Sequence, residues 1–163
     1  MAVALVILGV ALQTTLFIRL RPFGASPAIA LLVTVAVSRH LGRVPSLLVG
    51  FATGLLLDLL SETALGLWAL VLTTVAFATV RLRRRFEDDI TLLIPGVFLM
   101  SFIGLALYAL LGTIFGAQTL ADAQVAQKML LPALYNTILA PLVLPPITRL
   151  IGPRGGGRPG WDR

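Results

Sequence analysis

Cysteine is missing from this 163-residue chain, which excludes disulfides, a thiol nucleophile and any Cys-based metal site. Histidine is nearly missing too: His40 stands alone, with no carboxylate near it in sequence to complete a metal site. Charge is scarce, at 12% of residues, where soluble domains carry about 25%. The common catalytic motifs are also absent. There is no G-x-x-x-x-G-K-[ST] loop for nucleotide phosphates, no H-E-x-x-H and no G-x-S-x-G. No two acids share a helix at metal-binding spacing, and Gly155 to Gly157 follow no strand. Nothing in the sequence supports an enzyme, a cofactor or a metal.

What the chain has in abundance is apolar surface. It is 58% hydrophobic with a mean hydropathy of +0.97, so lipid rather than water is its main solvent. The net charge of +6 raises the question of nucleic acid. The basic residues, however, lie between apolar runs and not on a soluble basic face, which is the pattern of a membrane protein. The opening MAVALVILGVALQTTLFIRLRP lacks a positive n-region and an obvious A-x-A cleavage site, and reads as a retained first span.

Six apolar segments stand against the ~20 residues needed to cross a bilayer. They run from Ala2 to Leu20, Ser26 to Leu41, Pro45 to Leu60, Ala64 to Leu82, Ile90 to Phe115 and Met129 to Ile151. The second is short, which suits a tilted helix or one packed on other helices. The polar connection GAQTLADAQVAQK is expected to form a short interfacial helix. Pro132, Pro141, Pro145 and Pro146 predict kinks or an unwound section in the sixth segment. With six spans and the N-terminus inside, ten basic residues fall on the cytoplasmic side and three outside, as the positive-inside bias requires. The expected architecture is an all-α integral membrane protein: a six-helix transmembrane domain over residues 1–151, then a disordered, basic cytoplasmic tail over 152–163.

The chain is organised around GFATGLLLDLLSETALGLWAL, residues 50–70. Gly50, Gly54 and Asp58 recur every four residues and share a helix face. Small-xxx-small spacing lets another helix approach closely, and the break at Ser61-Glu62-Thr63 before Gly66 and Trp68 predicts a tight hairpin. A lone acid at membrane depth is expensive. Asp58 has four readings: proton carrier, ligand for a cation, anchor for another helix, or cap of the turn near the outer end of its own helix. Gln13, Thr14 and Thr15 in the first span, and Tyr135, Asn136 and Thr137 in the last, also need partners. Either Gln13, Asp58 and Asn136 meet in a polar core, or each side chain bonds a nearby carbonyl. The run RLRRRFEDD, with Arg81, Arg83, Arg84 and Arg85, is expected as a cytoplasmic loop, a topology determinant or a partner contact.

These residues resemble a known family, MreD, the small membrane protein of the bacterial rod-shape system. The likeness rests on the stretch at residues 50–70, on the Gln13-Thr14 pair, and on LLPALYNTILAPLVLP with its Tyr135-Asn136-Thr137. It covers about residues 1 to 150. The chain departs from the family pattern where Pro27 is followed by Ala28-Ile29-Ala30 and not by an acid and leucines.

The resemblance implies a non-enzymatic partner of MreC in the cytoplasmic membrane, and the ten-to-three split of basic residues puts both termini inside. The assembly it implies can include MreB filaments, RodA and a class B penicillin-binding protein, and directs side-wall peptidoglycan synthesis. It also implies a compact six-helix fold similar to the S-components of energy-coupling-factor transporters. On this reading Gly50, Gly54 and Asp58 floor a groove for the membrane anchor of MreC, and the outer hairpin at Gly66 touches partner segments outside. The alternative is a substrate-binding subunit of a vitamin importer, which needs aromatic and polar groups converging on one ligand; the chain has two Trp and two Tyr.

Overall fold

The computed structural model describes residues 2–15, 27–61, 65–86, 90–116 and 124–151. Six helices follow one another: α1 (Ala2–Thr15), α2 (Ile29–Ser38), α3 (Arg43–Leu60), α4 (Leu67–Phe86), α5 (Ile90–Ile114) and α6 (Val125–Ile151). Three, namely α3, the Leu93–Ile114 part of α5, and α6, are long and apolar enough to cross a membrane. The apolar parts of α1, α2 and α4 are shorter. The chain is therefore an all-α membrane protein.

The second apolar segment is the centre of the bundle. Every residue of α2 from Ile29 to Ser38 is buried, and α1, α3, α4, α5 and α6 all pack on it. At 1.5 Å per residue a ten-residue helix is about 15 Å long, half of the hydrocarbon thickness. It is shorter than the segment from Ser26 to Leu41, and protein surrounds it instead of lipid. Its two sides feed two apolar clusters. Leu31 and Val35 pack with Leu57, Val71, Leu72 and Met100; Leu32, Val33 and Val37 pack with Val6, Val97 and Leu144.

α6 stays helical through all four prolines, so the expected unwound section does not occur. α6 also starts at Val125, earlier than the expected Met129, and takes up the end of the polar connection; the remainder of the expected interfacial helix, residues 117–123, lies outside the described residues. So does the tail, 152–163. Most threonines bond the carbonyl four residues back, among them Thr34, Thr53, Thr79 and Thr137. Their hydroxyls are thereby satisfied inside their own helices.

Candidate functional site

α4 starts without a capping side chain of its own. Gly66 precedes it at φ +93°, a conformation open to glycine without steric cost. The cap comes from α3 instead. Asp58 is 1% exposed, and its carboxylate accepts three backbone N–H groups. Oδ2 takes those of Gly66 at 2.9 Å and Ala69 at 3.1 Å, and Oδ1 that of Trp68 at 3.0 Å. These are donors that the first turn of a helix leaves unpaired, at the positive end of the macrodipole. Asp58 thus anchors another helix, holding the start of α4 at Gly66 to Ala69.

α2 borrows its cap in the same way. Ala28 precedes it and offers no side-chain cap. From α1, Gln13 Oε1 accepts the Ala30 N–H at 2.8 Å. From α6, Asn136 Nδ2 donates to the Ala28 carbonyl and to Ser101 Oγ, both at 3.1 Å. Asn136 is fully buried, and its Oδ1 has no partner among the described residues. Gln13 and Asn136 thus meet at one helix start, while Asp58 serves another. The expected three-way core resolves into two separate caps. Thr14 takes the local option and donates to the Val10 carbonyl at 2.9 Å. Between the caps lies a recess of about 330 Å³ lined by Gln13, Thr14, Pro27, Leu57, Ser61 and Trp68 among others. The Trp68 ring stacks on Tyr108 with centroids 4.3 Å apart.

The glycine face of α3 is filled. A Cβ built on Gly50 would stand 2.6 Å from the Leu72 carbonyl oxygen, and one on Gly54 would overlap the backbone of Trp68 and Ala69. The close approach that small residues permit is taken by the chain's own α4. The expectation that Gly50, Gly54 and Asp58 form an open groove for a foreign anchor is corrected accordingly. Gly66 remains at the surface, beside Leu65, which is 73% exposed.

A second correction concerns Arg81, Arg83, Arg84 and Arg85. They belong to the last turns of α4 and not to a loop. Arginine is a good helix former, and cations suit the negative end of the dipole.

Sequence reasoning missed an apolar groove on the other side of the bundle. α1 and α6 both pack on α2 and leave a cleft of about 240 Å³, walled by Leu8, Leu12, Leu142 and Pro146 over Ile29 and Val33. Leu142 is 72% exposed. Its carbonyl would ordinarily accept from the residue three or four positions on, but these are Pro145 and Pro146, which have no N–H. The adjacent prolines were the available signal. Ser101, the partner of Asn136, gave none.

Among the described residues, no three His, Cys, Asp or Glu side chains come together to hold a metal. A family model described as rod shape-determining protein MreD matches residues 1–149. No curated protein and no solved structure matches, so the expected likeness to transporter S-components, and the vitamin-importer alternative with it, finds no support.

Proposed function

The chain belongs to the MreD family of rod shape-determining proteins, and on that premise we propose that it is a non-enzymatic membrane scaffold that holds MreC. It would sit in the bacterial cytoplasmic membrane as a six-span protein with both termini inside. Through MreC it would support an assembly containing MreB, RodA and a class B penicillin-binding protein, and so side-wall peptidoglycan synthesis.

The polar groups at membrane depth favour this reading. Asp58 and Gln13 accept from backbone N–H groups, and the Asn136 amide donates to a carbonyl and a hydroxyl. They stabilise helix starts, which is the work of a rigid holder.

The observation that carries the reading is the cleft between α1 and α6. Its walls are apolar, and the Leu142 carbonyl lacks both ordinary intrahelical donors. In lipid an unpaired carbonyl costs several kcal/mol, so a helix bringing a hydroxyl or amide donor would gain by lying there. We place the MreC anchor in this cleft, with the surface beside Gly66 as a second contact outside the membrane.

A chain without cysteine makes the test direct. Single cysteines replace Leu8 or Leu142 in the cleft, and Leu59 or Leu70, exposed on α3 and α4, as controls. Crosslinking to MreC is then read in native membranes. Crosslinks at the first pair and not the second are expected. The opposite pattern rules out the cleft, and loss of MreC co-purification from the unmodified protein rules out the scaffold.

A further inference from the structure

The end of the bundle where α3 begins and α4 finishes carries a pocket that none of the roles above uses. Arg43, the first residue of α3, and Arg81, near the end of α4, line a space of about 90 Å³ together with Phe77 and Val80. The Arg43 guanidinium lies 5.0 Å from the centroid of the Phe77 ring. That cation–π contact fixes the charge in place without neutralising it. Asp58 is the single acid among the described residues, and it is committed to the start of α4. No carboxylate therefore faces the two guanidinium groups among the described residues.

The start of α3 adds to the positive field. Gly42 supplies no side-chain cap, and the first turn holds no acid. The helix thus presents unpaired N–H groups and the positive end of its dipole where Arg43 also stands. A cation at that position is unfavourable unless an anion is bound there. From the same point a stripe of exposed apolar side chains descends α3: Val44, Leu48 and Phe51, at the spacing of one helix face. A site with a doubly cationic head and an apolar runway matches a molecule with a phosphate head and a hydrocarbon tail.

We propose that the Arg43–Arg81 pocket binds the phosphodiester head of an anionic phospholipid, with an acyl chain along Val44, Leu48 and Phe51. Arginine suits this task because its planar fork meets two phosphate oxygens at once. The bound lipid supplies the anion that α3 lacks at its start and joins the ends of α3 and α4 at headgroup level.

Native mass spectrometry of the full chain in neutral detergent, titrated with phosphatidylglycerol or phosphatidylcholine, tests the site. Phosphatidylglycerol should be retained preferentially. Removing each guanidinium should weaken it about fivefold, so Arg43→Gln with Arg81→Gln should remove most of the preference. Arg43→Lys with Arg81→Lys should keep a substantial part of it, which also reports that the fold is intact. Arg149→Gln, on the last turn of α6, should leave it unchanged. Equal retention of phosphatidylcholine, an equal loss in Arg149→Gln, or full binding by the double glutamine variant overturns the proposal. So does displacement of the lipid by millimolar glycerol phosphate, which would mark a site for free phosphate.

Discussion

Asp58 and Gly66 stand eight residues apart and are joined by a 2.9 Å hydrogen bond from the Gly66 N–H to Asp58 Oδ2. The pair closes the α3–α4 hairpin. Glycine supplies the positive φ that turns the chain into α4, and the acid supplies the cap that glycine cannot.

Removing the acid should therefore act on stability. Asp58→Ala strands three N–H donors, two of them on buried or half-buried residues of the first turn, and should cost about 3 kcal/mol. Asp58→Asn keeps an acceptor oxygen and should cost less. Thermal unfolding in detergent checks the order. An Asp58→Ala protein as stable as the original would refute the capping role.

The glycine face makes a graded prediction. Gly54→Ala places a methyl group into the backbone of α4, while Gly50→Ala meets the Leu72 carbonyl oxygen and the Ala76 methyl. Both should destabilise, Gly54→Ala more, by about 1 to 3 kcal/mol as overpacking. If either variant lost MreC with undiminished thermal stability, the face would be an interface and not a helix contact.

At the start of α2, Gln13→Leu removes the acceptor of the Ala30 N–H. Hydrogen exchange at Ala30 should speed up, and Gln13→Glu should preserve protection because it retains an oxygen there. Unchanged exchange in Gln13→Leu would show that another group caps α2.

Asn136 and Ser101 should be energetically coupled through their 3.1 Å bond. A double-mutant cycle with Asn136→Ala and Ser101→Ala is expected to give about 0.6 kcal/mol, and no more than about 1.7. A coupling of zero would place the importance of Asn136 entirely in its bond to Ala28.

Much of the site was legible in the residues themselves. Burial in lipid obliges Gln13, Asp58 and Asn136 to find partners, and all three do. Which partners was not legible, because a helix start needs no particular side chain when the cap arrives from elsewhere. Ala28 and Gly66 look empty as caps in sequence, and they are empty; the oxygen comes from another helix in each case. The arginines after Leu82 read as a loop because they are charged, whereas backbone geometry follows propensity and the dipole, so α4 runs through them to Phe86.

The order of residues alone set the solvent, the helical class and the existence of a small-residue face on α3, since hydropathy and period are local properties. Packing in three dimensions settled what fills that face. Period alone cannot distinguish a foreign helix from a neighbour in the same chain. The residues from 61 to 66 tether α4 beside α3, and so short a link gives it an effective concentration in the millimolar range or above. The chain's own helix takes the place first.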